Sequence, residues 1–124
     1  MSEKVREVTA ESFEDEVLQA EGTVMVDFWA SWCPPCRRLA PVLEQLAERQ
    51  EGRLGIVKLD VDAAPEVASR YGIRSIPTLI VFRDGRPLER RLGALPLEEL
   101  ERFALPHLAP AMETGVMDPR ATVG

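Results

Sequence analysis

Thr23 to Ala30 reads Thr-Val-Met-Val-Asp-Phe-Trp-Ala, an apolar run of strand length broken by one charge. It constrains the fold more than any other stretch. A strand apolar on both faces has to lie inside a sheet that is covered above and below. Such covering comes from helices packed on the two faces. The flanking sequence supplies them. Residues 11–20 predict a helix with Phe13, Val17 and Leu18 inward and Ser12 or Thr9 at its cap. After Pro34 and Pro35, the spacing of Leu39, Val42, Leu43, Leu46 and Ala47 predicts a long helix, kinked at Pro41 and ended by Gly52.

The alternation continues along the chain. Residues 5–8 read as a short strand, Leu54 to Val61 as a second buried strand, and Ala64 to Tyr71 as a short helix closed by Gly72. Thr78 to Phe82 is another strand. Asp84-Gly85 marks a two-residue hairpin turn that returns through Leu88 to Leu92 as an antiparallel edge strand. A last helix starts near Pro96, with Leu97, Leu100, Phe103 and Ala104 inward, and Pro106 stops it. The order β-α-β-α-β-α-β-β-α predicts an α/β domain with a mostly parallel sheet and an antiparallel hairpin. Residues 1–108 form this domain in our reading. Residues 109–124, interrupted by Pro110, Gly115 and Pro119, are expected to be a loosely ordered tail of no assigned function.

Composition excludes several classes. With 45% hydrophobic and 29% charged residues the chain is too apolar for disorder. No apolar run approaches the roughly 20 residues that span a bilayer. A net charge of −6 argues against nucleic acid as the main partner, since phosphate binding needs a basic face. The first sixteen residues carry Glu3, Lys4, Arg6, Glu7, Glu11, Glu14, Asp15 and Glu16 and no stretch like a signal peptide, so a cytoplasmic location is expected.

Two cysteines and one histidine cannot supply four zinc ligands, and two cysteines cannot build a disulfide scaffold. In a reducing compartment such a pair points to redox chemistry. Cys33-Pro34-Pro35-Cys36 sits where a strand gives way to a helix, and cysteines three apart can close a small disulfide ring and reopen it. The helix start presents unpaired N–H groups and the positive end of the dipole, which stabilise a thiolate. The thiolate is the attacking species, and an ordinary thiol is only a few per cent ionised at pH 7. Cys33, at the helix edge, reads as the nucleophile. Cys36, one turn in and more covered, reads as the resolving thiol.

Asp27 interrupts an apolar strand, where an unpaired carboxylate is costly. One reading places it on a solvent-facing edge. The apolar residues on both sides, Val24, Val26 and Phe28 against Met25 and Trp29, instead predict burial, a raised pKa and a proton carrier near neutral pH. Lys58 is equally out of place in Gly55-Ile56-Val57-Lys58-Leu59, unless it snorkels to solvent.

Taken in order, Val26-Asp27-Phe28-Trp29-Ala30-Ser31-Trp32-Cys33-x-Pro35-Cys36, Ala40-Pro41, Val57 to Asp62, Tyr71 to Leu79, Asp84-Gly85 and Leu92-Gly93-Ala94 resemble the thioredoxin family over about residues 3–108. The resemblance implies a central mixed sheet of four to five strands between helices. It also implies a protein-disulfide reductase that takes part in electron transport and cell redox homeostasis. Such a protein holds no bound cofactor or metal. It works as a monomer on disulfide-containing proteins and is recharged by thioredoxin reductase with electrons from NADPH. It further implies that Asp27, with Lys58 as partner, takes the proton of Cys36. Pro77 is then cis after Ile76 and faces the cysteines. Trp32, Pro34, Pro35, Ile76, Pro77, Gly93 and Ala94 then form a shallow surface for extended substrate segments, read largely through backbone pairing.

One departure stands out. The family's usual centre has Gly before the second proline, whereas this chain has Pro34, so of the residues just after Cys33 only Cys36 keeps its amide N–H. A lost hydrogen bond to the charged form raises a thiol pKa. A stiffer centre also alters ring closure, so the sequence leaves the direction of the redox potential open. The Pro-Pro centre resembles tryparedoxins and some glutaredoxin-type proteins too, but Asp27, Lys58 and Leu92-Gly93-Ala94 favour thioredoxin. An oxidase or isomerase module, and a scaffold that uses the same surface for binding, are the other readings.

Overall fold

The computed structural model describes residues 4–108, so the expected tail lies outside the described residues. Five strands form one sheet: β1 Arg6–Val8, β2 Thr23–Trp29, β3 Leu54–Asp60, β4 Thr78–Arg83 and β5 Arg86–Leu92. Their order across the sheet is β1-β3-β2-β4-β5. The first three run parallel, β4 is antiparallel to β2, and β5 is antiparallel to β4. β2 is therefore flanked by β3 and β4, and six of its seven residues are buried, as its apolar run requires.

Alternate residues of β2 feed two cores. Met25, with Leu79 and Val81 of β4, packs under the helices α1, Pro34–Arg49, and α3, Leu97–Ala104, which contribute Leu39, Leu43, Leu46, Leu100 and Phe103. Val24, Val26 and Phe28 face the other way, toward Phe13, Val17, Val67 and Phe82. Val67 lies on the short helix α2, Pro65–Arg70. Tyr71 stacks edge-on to Phe82 at 5.2 Å between ring centroids in that second core.

One local expectation is corrected. The ten-residue helix predicted over 11–20 is one wide turn, Glu14–Leu18, closed by the Gln19 N–H on the Glu14 carbonyl five residues back. Ahead of it, the Thr9 N–H donates to Ser12 Oγ (2.9 Å) and the Ser12 N–H to Thr9 Oγ1 (3.1 Å), the reciprocal bonds of a capping box with Thr9 as the cap, and the Ser12 carbonyl accepts the Glu16 N–H at 2.9 Å. Helix α1 ends at Arg49, with Gly52 three residues on at φ 88°. It continues through Pro41, which is exposed and whose missing N–H leaves the helical ladder one bond short.

The hairpin is as expected. Asp84 (φ 53°) and Gly85 (φ 78°) both adopt the left-handed conformation that a two-residue turn of matching twist needs. A Cβ at Gly85 would also lie 2.9 Å from the Leu18 carbonyl oxygen, so the position has no room for a side chain. Pro87, which cannot donate to a ladder, sits in the exposed edge strand β5 beside an irregularity at Val81/Phe82.

Candidate active site

The two cysteines stand where β2 hands over to α1. Cys33 is the N-cap, extended at φ −96° and ψ 110°. Pro34 and Pro35 follow in the first turn, where the missing N–H groups have no helical partner to lose. The Cys36 N–H then donates to Cys33 Sγ at 3.2 Å, the one capping bond that this sequence leaves available. The sulfurs are joined in a disulfide, with the Cα atoms 5.2 Å apart. In this bonded form Cys33 is 3% exposed and Cys36 2%, so the difference in cover expected between them is small. Both pack with Ala30, and Trp29, Val61 and Ile76 lie against that cluster. His107 sits elsewhere, its Nε2 2.6 Å from Glu89 Oε1, and among the described residues no group of three metal-ligating side chains occurs.

The loop before β4 closes over the disulfide. Ile76–Pro77 is a cis peptide, and the Ile76 carbonyl oxygen lies 3.9 Å from Cys33 Sγ. Thr78 Oγ1 donates to the Ser75 carbonyl at 2.6 Å and pins the turn. The Gly93 N–H donates to the Pro77 carbonyl at 2.9 Å, with Gly93 at φ 95°, so Gly93 and Ala94 reach the same rim. Pro77 is buried, Ile76 and Pro35 are half-buried, and Pro34 and Ala94 are exposed.

Trp32 is 62% exposed, yet its indole N–H donates to Asp62 Oδ2 at 2.7 Å. That bond holds a large apolar surface still beside a groove of about 350 Å³ lined by Trp32, Val61, Ile73, Arg74, Ser75 and Ile76. Asp62 was not identified from the sequence as part of the site, nor were Val61 and Ile73. The available signal was register: Trp29 pairs with Asp60, and the Val61 N–H donates to the Trp29 carbonyl, so residues just past β3 must lie beside those just past β2.

Behind Cys36 the buried charge is in place. Asp27 is 3% exposed on the central strand, which overturns the edge-strand reading. Burial pushes its carboxyl from the ordinary 3.8 up to about 7, against a downward pull from Lys58. Its Oδ1 has no hydrogen-bond partner among the described residues. Lys58 pairs with Asp27 in the strand register, but the two make no ion pair within 4 Å; the ammonium lies over the Trp29 ring, 4.8 Å from its centroid. Trp29 offers that ammonium a π-face, an alternative to the carboxylate that the sequence did not reveal. Asp27, Lys58 and Cys36 line one cavity of about 280 Å³. A titratable carboxyl therefore shares a partly open cavity with the inner sulfur.

The family model described as thioredoxin matches residues 4–105. Among curated proteins, thioredoxin 1 of Nostoc sp. is 46% identical over 102 residues, 82% of this chain and 95% of that protein. The thioredoxin of Pseudomonas aeruginosa is 45% identical over 103 residues, 83% of this chain and 95% of its own. That of Chlorobaculum thiosulfatiphilum is 50% identical over 93 residues, 75% and 86% of the two chains.

Proposed function

The chain belongs to the thioredoxin family and is a protein-disulfide reductase working by thiol–disulfide exchange, and from that premise we propose how its residues divide the work. In the reduced protein the Cys33 thiolate attacks one sulfur of a substrate disulfide. That S–S bond breaks, one substrate sulfur leaves as a thiolate, and a mixed disulfide joins Cys33 to the other. Asp27, as carboxylate, accepts the Cys36 proton through the shared cavity. The Cys36 thiolate then attacks Cys33 Sγ and releases the second substrate thiol. Two electrons have passed to the substrate, and the protein is left with the Cys33–Cys36 disulfide.

The capping bond carries this reading: the Cys36 N–H at 3.2 Å from Cys33 Sγ, at a helix start, favours negative charge on that sulfur. Lys58 acts on Asp27 through space and keeps its pKa from rising further. Trp32, Pro34, Pro35, Ile76, Pro77, Gly93 and Ala94 receive an extended segment of the substrate. The protein needs no bound cofactor; thioredoxin reductase, fed by NADPH, returns it to the dithiol. It works as a monomer in the cytoplasm. Among the described residues no helix is long and apolar enough to cross a membrane.

Reductase-coupled reduction of a model protein disulfide tests the assignment. The parent turns over, Cys33→Ser does not, and Cys36→Ser accumulates a mixed disulfide through Cys33. Turnover by Cys33→Ser comparable to the parent's would refute the role given to that sulfur.

A further inference from the structure

The cavity behind Cys36 is enclosed on one side by the segment leading into β1. Val5 lines it and is 5% exposed, and Glu44 of α1 lines it as well. The Glu44 carboxylate accepts two backbone bonds, from the Lys4 N–H (2.9 Å) and from the Val5 N–H (3.2 Å). These amides precede β1, whose ladder with β3 begins at Arg6, so the ladder itself does not hold them. Lys4 Nζ adds an exposed contact to Glu51, 3.4 Å away. The side chain that fixes this segment is thus the one that shares the cavity with Asp27.

We propose that Glu44, by fastening Lys4 and Val5 across the cavity, is a positioning residue that sets the access of water and protons to Asp27. This rests on the reading of Asp27 as proton carrier for Cys36. A carboxyl in a closed space loses hydration and holds its proton; opening the wall restores hydration and lowers its pKa. The charged and titratable groups around Asp27 are Lys58 from β3 and Cys36, Arg37 and Glu44 from α1. Glu7 of β1 stands beyond Lys58 in the same register row. β4 presents Leu79 in register, and α3 contributes Leu100 and Phe103 to the same core. Glu44 acts on Asp27 in two ways, by its charge and by the wall it holds, and these are separable.

The experiment follows the Asp27 carboxyl by ¹³C NMR across pH in the oxidised protein, where no thiol titrates. Glu44→Ala removes charge and wall; Glu44→Gln removes the charge but keeps an acceptor for one of the two amides. Glu44→Ala is expected to lower the Asp27 midpoint by about one pH unit. Glu44→Gln is expected to lower it by less than half as much. The Val5 amide should exchange with solvent at least about tenfold faster in the alanine variant than in the parent. Equal shifts in the two variants, or no shift in either, would overturn the proposal. The resolving step is read separately, from the rate at which Cys36 releases a preformed mixed disulfide in Asp27→Asn. An unchanged rate there removes the proton-carrier reading and the proposal with it, whereas a slowed rate with an unmoved Glu44→Ala titration removes the wall alone.

Discussion

Asparagine in place of Asp27 keeps the shape of the side chain and abolishes its titration, which makes the buried charge measurable as stability. The carboxyl rises from 3.8 to about 7 on folding, chiefly through burial. An acid whose pKa is raised by folding binds more protons folded than unfolded between those two values. Unfolding free energy therefore falls as pH rises from about 4 to about 7, by up to about 1.4 kcal/mol per pH unit from this group, and levels off above. Across the interval of about three units the loss amounts to about 4 kcal/mol, large beside the 5–15 kcal/mol typical of a whole domain. The Asp27→Asn variant lacks this slope. Its stability relative to the parent should grow from a constant offset near pH 4, set by the hydrogen bonding of the new amide, to about 4 kcal/mol more near pH 8. Guanidinium unfolding of both oxidised proteins at intervals from pH 4 to 8.5 reads the difference directly, because every other group titrates in both. Parallel pH profiles would show that Asp27 carries no perturbed charge, and the proton-carrier role would fall with it.

Other perturbations have equally definite outcomes. Asp62→Ala frees the Trp32 indole, and kcat/KM for a protein disulfide should drop about three- to tenfold while a small neutral disulfide reacts at nearly the parent rate, since the lost contribution lies in docking. Equal losses on both substrates would place Trp32 in the chemistry instead. Leu100→Ala, at a fully buried side chain of α3, should cost about 2–5 kcal/mol and lower Tm without changing the alkylation rate of Cys33. The Glu89 carboxyl lies below its ordinary value through its bond with His107 and the nearby Arg91. Its contribution is present above the unfolded pKa and lost as pH falls through the lowered one, so Glu89→Gln should flatten that part of the acid limb of a thermal-melting profile; an unchanged limb would show that the contact carries no stability.

The alternation of strands and helices, the Asp-Gly turn and the place of Cys33 and Cys36 at a strand-to-helix junction were legible in the chain because each rests on neighbours a few residues away. Periodicity decides which face a side chain takes, and a proline or glycine ends an element through its own backbone. Asp27 and Lys58 were conspicuous for a related reason: a charge within an apolar run needs a compensating environment. The predicted helix over 11–20 is shorter than its pattern, one wide turn over Glu14–Leu18, although Thr9 and Ser12 cap its approach with reciprocal bonds as a local signal can.

What the fold alone decided are the contacts between segments far apart in the sequence. The order β1-β3-β2-β4-β5 brings Asp62 to Trp32 across 30 residues, Gly93 to Pro77, and Val5 to Glu44 across 39. It also sends the Lys58 ammonium to the Trp29 ring instead of into an ion pair with Asp27. No periodic pattern encodes such meetings, because they depend on how far helices and strands stand apart once packed. The cavity behind Cys36 is the clearest case. It is space left between α1, β2, β3 and the segment before β1, and it exists only when all four are assembled.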